Sequence, residues 1–392
     1  MKYILRVLGD IVVDELFILF MDSDEEFFDA EEEFEFHTPQ PSPKFERYFT
    51  IKLASKEPKT PLNFSLINSV KQLELPVTSS YWIVKFHPAG THVAIAGSSN
   101  IILIYPFNSE NFLDSPIYLN EHTYDITSLS WGMNGYLLSG SIDHTIKEWG
   151  IRQNSLNTFH FHCRIISCSY LSQDENFFIA AFEDFVVRIV YIPNKGIIQQ
   201  LQLFETITCM AVSESGSTVA FGMSRGRVIP FTVRRKDFKL LDRNLIKAKD
   251  SRGLKKSGKK VTGLYFLNDE ELLITTLDSN IRLYSLVDYQ MKQKYKKAEI
   301  KLKENCALAT YDSDYVICGG DSGKFYIWET VIQGTKNRKL EIIKVGKHKS
   351  PVYIFLAPRE TLNIFNETLE KNKHTYILFC LDTGNCLNIY LL

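Results

Sequence analysis

Short apolar runs alternate with polar turns along most of the chain, and residues 120–151 show this pattern most clearly. The stretch contains three runs, ITSLSW, YLLSGS and TIKEWGI, separated by Asn134-Gly135 and by the polar turn at residues 142–144. Short runs rich in β-branched and aromatic side chains are typical of β-strands. Asn-Gly between two such runs predicts a type I′ hairpin turn, because both central residues of that turn need a positive φ. We therefore predict a meander of three antiparallel strands.

The same arrangement recurs along the chain at nearly constant spacing. The first strands of successive repeats are predicted to end at seven positions, which are 45, 39, 42, 54, 45 and 45 residues apart. These positions are Phe86, Trp131, Tyr170, Val212, Phe266, Tyr311 and Leu356. A period of about 40–45 residues is typical of the four-stranded blades of a β-propeller. Because a single blade cannot bury both of its faces, we predict an all-β fold, a closed ring of seven blades.

One strand is missing from the last repeat, which supplies only three clear strands before Leu392. Residues 66–75, LINSVKQLEL, lie just ahead of the first blade and are predicted to supply the fourth strand. That pairing would join the two ends of the ring and remove exposed sheet edges. We therefore assign residues 63–392 to the propeller.

Residues 1–20 are apolar apart from five charged residues, four of which recur at every fourth position. On a helix these charges would form one line beside a wide apolar face, so one interpretation is a helix that binds a partner or a membrane surface. The other interpretation is that translation starts at Met21 and that the preceding residues come from an incorrect gene model. Charges interrupt the core that a signal peptide needs, and no run of about 18 uncharged apolar residues predicts a transmembrane helix.

Residues 21–62 are predicted to form a disordered, acidic and Pro-rich tail. Residues 1–50 carry 13 acidic and 4 basic side chains, and prolines cluster at residues 39–43. A segment of this composition cannot bury enough apolar surface to fold alone. Thr38-Pro39 and Ser42-Pro43 are weak candidates for phosphorylation, which would add negative charge.

The tail contains the sequence EFFDAEE, which resembles the motif of two phenylalanines in an acidic tract, known as FFAT. The specified positions are Glu26, Phe27, Phe28, Asp29, Ala30 and Glu32. The resemblance implies binding to the major-sperm-protein domain of VAMP-associated proteins in the endoplasmic reticulum membrane. The phenylalanines would fill apolar sites, and the surrounding acids would steer encounter with a basic surface. The alternative is an acidic solubilising tail with incidental aromatic residues.

Composition limits the other classes of function. With 45% hydrophobic residues in 392 positions the chain can bury a large core, and a formal net charge of −1 implies no global polyelectrolyte role. The seven cysteines include no C-x-x-C pair, which favours free thiols in a reducing, cytoplasmic compartment. His160, His162 and Cys163 lie close together, but no second pair with ligand spacing follows. We expect no metal and no cofactor.

Residues 120–151 resemble a WD repeat, in which Gly-His opens each unit and Trp-Asp closes it. His122 precedes the first strand and Trp149 ends the third, although Glu121 and Gly150 replace the family's glycine and aspartate. The resemblance implies a buried hydrogen-bonded network of His122, Ser139, Asp143 and Trp149. We expect this network to be structural. No nucleophile elbow or oxyanion element accompanies it, so a hydrolase triad is not expected.

A basic insertion lies in the longest repeat. Residues 234–260 carry 12 basic and 3 acidic side chains. Within them GLKKSGK imitates a phosphate-binding P-loop, but Lys260 replaces the hydroxyl residue and a strand follows instead of a helix. We expect a basic surface loop that includes Arg252, Lys255, Lys256, Lys259 and Lys260.

A second lysine-rich run, residues 292–303, follows one blade later. Together the two runs would bind an anionic membrane surface or an acidic partner, or would simply be solvated. Nucleic acid is not expected, because the runs lack interleaved aromatic residues.

Several segments resemble Rab-effector WD-repeat proteins of the WD repeat-containing protein 44 type. They are YWIVKF, LSWGMNGYLLSGSIDHTIKEW, DSRGLKKSGKKVTGL, TTLDSNIRLYSLVDYQMKQKYK and the EFFDA tail. The resemblance implies a non-enzymatic, monomeric scaffold in membrane trafficking, peripheral at endosomal and endoplasmic-reticulum membranes. Its partners would be a VAMP-associated protein on the tail, and a small GTPase of the Rab family or another protein on the propeller. The alternative is a soluble adaptor, a ubiquitin-ligase substrate receptor or a nuclear complex subunit, with the tail as a spacer. An enzyme is not expected, because no inward cluster of catalytic residues is identifiable.

Overall fold

The structure is a computed structural model of the chain. It describes residues 69–76, 79–108, 112–151, 154–171, 174–234, 236–248, 258–300, 305–330, 340–344, 352–364 and 376–392. All of these belong to the second of two compact units, which spans Pro61–Leu392. The apolar segment 1–20 and the acidic tail 21–62 lie outside the described residues.

The described chain is built almost entirely of antiparallel β-strands. It enters through β1 (Ser69–Glu74), which belongs to the last blade. Blade 1 comprises β2 (Tyr81–Phe86), β3 (His92–Gly97), β4 (Ile102–Asn108), β5 (Phe112–Leu113) and β6 (Ile117–Leu119). Blade 2 comprises β7 (Ile126–Trp131), β8 (Leu137–Ser141), β9 (Thr145–Trp149) and β10 (Ser155–His160). Blade 3 comprises β11 (Ile165–Tyr170), β12 (Phe177–Phe182), β13 (Val186–Tyr191) and β14 (Gly196–Gln202).

The remaining blades follow the same order, with one short helix before the last hairpin. Blade 4 comprises β15 (Ile207–Val212), β16 (Thr218–Met223), β17 (Arg227–Arg234), β18 (Lys239–Asp242) and β19 (Ile246–Lys247). Blade 5 comprises β20 (Val261–Asn268), β21 (Glu271–Thr276), β22 (Asn280–Ser285) and β23 (Met291–Tyr295). Blade 6 comprises β24 (Leu308–Ala309), β25 (Tyr315–Gly319), β26 (Lys324–Glu329) and β27 (Leu340–Lys344). Blade 7 comprises β28 (Val352–Leu356), α1 (Arg359–Ile364), β29 (Ile377–Asp382), β30 (Cys386–Leu391) and β1.

The hydrophobic core is divided into seven clusters, one at each contact between neighbouring blades. Between blades 2 and 3, for example, Leu138 and Ile146 pack with Phe178 and Val190. The cluster that contains Val93 and Phe379 joins blade 1 to blade 7. Every blade therefore buries both faces, which explains the continuous apolar runs of the middle strands. The predicted closed ring of seven blades is confirmed.

Hydroxyl side chains tie the innermost strands of neighbouring blades together. The Ser128 Oγ accepts a hydrogen bond from the backbone N–H of Cys168 at 2.9 Å, which joins β7 to β11. The Thr208 hydroxyl donates to the carbonyl of Val261 at 2.7 Å, which joins β15 to β20. These bonds satisfy backbone groups on the channel edge of each sheet, where no further strand is available.

The two ends of the propeller meet in blade 7, as predicted. Strand β1 pairs antiparallel with β30, with Leu73 opposite Leu387 and Glu74 opposite Cys386. The strand within residues 66–75 therefore supplies the fourth strand of the last blade. Leu75, the residue after β1, is 2% exposed and belongs to the core cluster between blades 7 and 1.

The predicted type I′ turn at Asn134-Gly135 is wrong. Gly135 has a φ of 86°, but Asn134 does not lie in the positive-φ region. The N–H of Gly132 donates to the carbonyl of Tyr136 at 2.8 Å, and the N–H of Gly135 donates to that of Gly132 at 3.2 Å. This pattern is a three-residue loop in which a left-handed glycine forms a bulge. The Asn134 N–H meets the Glu175 carboxylate of blade 3 at 3.0 Å, and this contact favours the longer loop.

Five of the seven predicted ends of first strands coincide with the observed ends, and two do not. Strand β20 continues past Phe266 to Asn268, with a register shift between these two residues. Strand β24 ends at Ala309, so Tyr311 lies in the following turn. Neither difference changes the repeat period, because the hairpins that follow in blades 5 and 6 lie at the expected positions.

Candidate functional site

The four residues of the predicted WD network lie together in blade 2. Nδ1 of His122 is 2.7 Å from Oδ2 of Asp143, and Nε2 of His122 is 2.7 Å from Oγ of Ser139. Nε1 of Trp149 donates to the same Ser139 oxygen at 2.8 Å. An ionised carboxylate only accepts hydrogen bonds, so the ring Nδ1 donates to Asp143, and in the neutral imidazole Nε2 is then the acceptor. Each side chain of the network therefore donates a hydrogen bond to the next, in the order Trp149, Ser139, His122 and Asp143.

The Asp143 carboxylate accepts hydrogen bonds from two further residues, Thr145 and Thr123, that the sequence analysis missed. The Thr145 hydroxyl donates to Oδ1 at 2.6 Å, and the Thr123 N–H donates to Oδ2 at 3.1 Å. Burial alone would raise the pKa of Asp143, but the hydrogen bonds from His122 and Thr145 outweigh it and hold the pKa well below its usual range. A threonine two residues after a turn aspartate is a recognisable Asx-turn signal. The network fixes the turn between β8 and β9 and has no feature of a nucleophile.

In blade 5 the turn aspartate is Asp278, and its hydrogen-bond partner is an arginine, Arg282, instead of a histidine. Arg282 is fully buried, and its Nη2 donates to Oδ2 of Asp278 at 2.7 Å, while Nη1 donates to the Thr276 hydroxyl at 2.7 Å. Asp278 lies in the turn between the two middle strands, as Asp143 does in blade 2. Burial would raise the pKa of Asp278, but the hydrogen bonds from Arg282 and Thr276 lower it on balance. Sequence analysis missed this pair because an arginine in a strand usually indicates an exposed position.

A buried carboxylate links blades 2 and 3. Glu148 is 5% exposed, and its two oxygens accept hydrogen bonds from the Tyr170 hydroxyl and the Asn157 amide, each at 2.8 Å. Burial first, and then the neighbouring carboxylate, raise the pKa of Tyr170 far above its usual range. Both polar groups are satisfied, so this contact is structural rather than reactive.

The predicted basic surface is only partly described. Arg252, Lys255 and Lys256 lie outside the described residues, whereas Lys259 and Lys260 precede β20. The backbone at Gly258 lies against Gly226, in the turn between β16 and β17, so this end of the insertion is anchored to blade 4.

Part of residues 234–260 is β-strand. Strands β18 and β19 lie within them and pair with β17 to complete the outer edge of blade 4. In the second basic run Lys292 forms an ion pair with Glu271 at 2.6 Å, while Lys296 and Lys297 are exposed. The remaining residues of that run after residue 300 are not described.

The predicted tail motif, residues 26–32, lies outside the described residues, and so do Thr38 and Ser42. Within the described ranges no group of three or more His, Cys, Asp and Glu side chains is placed to hold a metal ion. His160 is exposed and belongs to β10, which pairs with β9, while Cys163 is half-buried and free. Among the residues that the structure describes, none forms a helix with the length and apolar character needed to cross a membrane.

The central channel contains a cavity of about 440 Å³ that the sequence analysis did not identify. It is lined by residues of the inner strands of blades 1, 5, 6 and 7 and of the loops beside them. Much of this wall is aromatic, through Trp82, Phe86, Tyr265, Tyr353 and Phe355. The wall also includes Lys85 and Asn305. A mainly apolar cavity with few polar groups has the composition of a ligand site.

Fold and network together define a WD-repeat β-propeller. The family model of the WD domain, G-beta repeat, matches residues 115–150, the segment that carries the complete network. Residues 115–150 are therefore a WD repeat of this propeller.

Several known proteins are similar to this chain over much of its length. WD repeat-containing protein 44 of Xenopus laevis is 25% identical over 329 residues, which cover 69% of this chain and 36% of that protein. A WD repeat-containing protein of Schizosaccharomyces pombe is 23% identical over 323 residues, which cover 74% of this chain and 53% of that protein. The chain thus spans about a third to a half of the length of these relatives. The crystal structure of the Cps50 (Swd1) β-propeller domain of Myceliophteria thermophila matches with a TM-score of 0.62 and 16% identity, covering 83% of this chain and 99% of that domain.

Proposed function

We propose that this protein is a non-enzymatic WD-repeat scaffold in membrane trafficking. It links endosomal or tubular membranes, or a Rab-type GTPase on them, to VAMP-associated proteins of the endoplasmic reticulum. The observation that carries this proposal is the 25% identity to WD repeat-containing protein 44 over 329 residues. The match of residues 26–32 to the FFAT motif supports the second contact, with the endoplasmic reticulum membrane.

The propeller supplies the rigid half of this scaffold. Its blades are closed by β1 and packed through seven core clusters, so the described strands form a rigid framework. The loops at one rim belong to different blades and together offer a wide surface to a protein partner. A rigid surface reduces the ordering cost of binding.

The tail supplies the second contact. Phe27 and Phe28 would enter apolar sites on the major-sperm-protein domain, and Asp29 would meet a basic side chain. A tail and a ring that bind different partners hold those partners at a high effective concentration. The acids around the motif would raise the association rate with a basic surface.

Contact with an anionic membrane would come from the basic side chains of the insertion and of the following blade. Lys259 belongs to the first, and the exposed Lys296 and Lys297 belong to the second. Each lysine near an anionic membrane surface contributes about 1 kcal/mol. The binding would therefore weaken as salt increases.

The test of the tail contact is calorimetric titration of a peptide spanning residues 21–36 into a purified major-sperm-protein domain. We expect a one-to-one complex of micromolar affinity that Phe27→Ala abolishes. The matched control is Phe34→Ala, which removes an equal aromatic ring from the same peptide outside the motif. Asp29→Lys should also abolish binding, because it reverses the charge that meets the basic partner.

Equal affinity of the wild-type and Phe27→Ala peptides, or no binding by either, would overturn the tail contact. Localisation of the full chain is the second readout. Reticular and endosomal signal supports the trafficking scaffold, whereas nuclear signal that Phe27→Ala leaves unchanged would favour the adaptor alternative.

A further inference from the structure

Basic side chains are concentrated on one part of the propeller's outer circumference. Residues 236–248 of blade 4 and 291–297 of blade 5 carry eight basic and two acidic side chains, and we call these two segments the blade 4–5 edge. By contrast, the outer strands of blades 2 and 3, β10 and β14, contain no lysine, arginine, aspartate or glutamate. The circumference therefore has a cationic side and an uncharged side.

Two leucines protrude from the edge in blade 4. Leu241 is 43% exposed and Leu245 is 38% exposed. Their neighbours Leu240 and Ile246 are buried in the core clusters on the two sides of the blade, so β18 and β19 are firmly packed. Single exposed apolar side chains are common on protein surfaces. The informative feature is that these two leucines lie among lysines.

The exposure of Leu245 follows from a break in strand pairing. Strands β18 and β19 pair with the two halves of β17, and Pro230, between those halves, has no partner in either. A proline has no N–H to offer a neighbouring strand, and the chain leaves the sheet opposite it, at residues 243–245. The Arg243 Nε donates to the Thr232 hydroxyl at 2.6 Å, which holds this excursion against the blade. Leu245 is therefore exposed on a backbone that is fixed in place.

Blade 5 continues the same surface. Met291, at the start of β23, is 46% exposed and lies opposite Tyr284 of β22. The Tyr284 hydroxyl donates to the backbone carbonyl of Lys247 at 3.4 Å, which joins β22 to β19 beside Met291. Lys292 and Lys294 follow Met291 on β23. The apolar and basic side chains of the two blades therefore belong to one continuous edge.

Carboxylates compensate only part of the positive charge. Asp237 lies 3.7 Å from Lys239, and Glu271 of β21 lies 2.6 Å from Lys292. The second acid of the edge is Asp242. Three carboxylates therefore stand against the eight basic side chains, and the edge attracts anions.

An anionic membrane fits this surface better than an acidic protein does. The cores of protein interfaces are depleted in lysine and joined into one apolar patch, whereas here separate aliphatic side chains alternate with lysines. A lipid surface needs no such patch, because each aliphatic side chain enters the boundary between headgroups and acyl chains individually. Lysine stems extend along that boundary and place their ammonium groups among the headgroups.

We propose that the blade 4–5 edge docks on an anionic lipid surface. Leu241, Leu245 and Met291 enter the acyl boundary, and the lysines around them bind headgroups. This docking rests on the scaffold function proposed above, and it adds an apolar anchor and an orientation to the membrane contact. A propeller held by its outer edge leaves the loops of both rims open to a GTPase or another protein partner.

The test is co-sedimentation of the full chain with vesicles of two compositions. One preparation is phosphatidylcholine alone, and the other contains phosphatidylcholine and phosphatidylserine in equal parts. We expect the wild-type chain to bind the phosphatidylserine vesicles at least about 10-fold more tightly, because several lysines near the surface each contribute. This difference should decrease as the salt concentration increases.

An apolar pair of substitutions ties the binding to the edge. Leu241→Ser combined with Leu245→Ser should weaken binding to the phosphatidylserine vesicles about 10-fold, because the anchor loses its apolar surface. The matched control is Leu156→Ser combined with Ile197→Ser, which removes side chains that are 43% and 51% exposed from the uncharged strands β10 and β14. This control pair should bind as the wild type does.

A single charge substitution tests the lysines separately. Lys247→Gln should weaken binding about 5-fold, the effect of one lysine near an anionic surface. Its control is Lys71→Gln on β1 of blade 7, which is not adjacent to blade 4 or blade 5. We expect that variant to bind as the wild type does.

Hydrogen exchange of the wild-type chain provides a readout that needs no substitution. On phosphatidylserine vesicles the backbone amides of β18, β19 and β23 should gain protection, and those of β10 and β14 should not. Protection confined to other blades, or equal weakening by the two apolar pairs, overturns the proposal.

The remaining outcomes concern other occupants of the edge. If it binds an acidic protein or a second copy of the chain instead, the wild-type chain stays in the supernatant of both vesicle preparations, which also overturns the proposal. Tail binding is measured by calorimetry on the peptide of residues 21–36. Failure of edge docking and failure of the tail contact therefore give different results.

Discussion

The His122 ring donates from Nδ1 to the Asp143 carboxylate at 2.7 Å, across the gap between the loop that enters blade 2 and the turn between its two middle strands. The carboxylate is 6% exposed, and the imidazole is fully buried. Because Asp143 also accepts from Thr123 and Thr145, one side chain holds two connecting segments and the start of β9.

The first prediction concerns the pH dependence of this network. The folded-state pKa of Asp143 is lowered from 3.8, so its ionised form contributes stability that is present above about pH 4 and is lost as pH falls through the lower folded-state value. Asp143→Asn replaces one accepting oxygen with a donor and should cost about 1–3 kcal/mol at pH 7. The difference from the wild type should be constant above pH 5 and shrink below pH 4.

Urea unfolding between pH 3 and pH 7 measures this difference. The control is Asp242→Asn, an exposed carboxylate at the end of β18, which should match the wild type throughout. A difference between wild type and Asp143→Asn that stays unchanged from pH 7 to pH 3 would show that the ionised carboxylate is not the stabilising species.

The second prediction concerns the buried ion pair of blade 5. Asp278→Asn retains the size of the turn residue but removes the carboxylate that pairs with the fully buried Arg282 guanidinium at 2.7 Å. Breaking a buried pair from one side costs about 3–5 kcal/mol, whereas replacing both partners is often close to neutral. We therefore expect Asp278→Asn to be destabilising and the further change Arg282→Met to restore much of the loss. Chemical unfolding of the single and double variants decides this, and a double variant less stable than Asp278→Asn would contradict it.

The third prediction concerns closure of the ring. Leu75 is 2% exposed in the cluster between blades 7 and 1, and its N–H donates to the carbonyl of Asn385 at 2.9 Å. Leu75→Ala should lower the free energy of unfolding by about 2–5 kcal/mol. Glu74→Ala, an exposed change on the adjacent residue, is the matched control. If the two variants unfold at the same denaturant concentration, the contact of β1 with blade 7 does not hold the ring together.

The sequence predicted the blade number and the closing strand because both depend on periodicity. First strands recur at a period near that of one blade, and a three-stranded last repeat requires a partner for β30. These features do not depend on any one side chain. A family resemblance, rather than periodicity, placed His122 and Asp143 in one network.

Side-chain chemistry at the level of single positions was not predictable. The turn at Asn134 is set by Glu175, which lies on the next blade, and no local pattern contains that contact. Arg282 is buried because Asp278 faces it across a turn. Lys85 and Asn305 line one cavity only because the ring brings blades 1 and 6 to a common axis.

The last prediction separates backbone strain from steric overlap at three glycines. Gly90 has a φ of 69°, and a Cβ there would lie 2.4 Å from the backbone nitrogen of Thr361 in α1. Gly135 has a φ of 86°, but its Cβ would meet only the His87 ring, at 3.4 Å. Gly384 has no positive φ, and the nearest atom to its Cβ would be a carboxylate oxygen of Asp382 at 3.2 Å. Gly90 therefore combines backbone strain with steric overlap, Gly135 has backbone strain alone, and Gly384 has only a mild steric overlap.

Alanine at each position should give an ordered series of stabilities. Gly384→Ala should be close to neutral, and Gly135→Ala should cost about 1–2 kcal/mol, the cost of a left-handed conformation for a residue with a Cβ. Gly90→Ala should cost more than Gly135→Ala, because the helix backbone at Thr361 must also move, and backbone does not yield as a flexible side chain does. Urea unfolding of the three variants gives the order directly. Equal stability of Gly90→Ala and Gly135→Ala would contradict the packing of α1 on the turn between β2 and β3. The close approach at Thr361 would then not affect the free energy of unfolding.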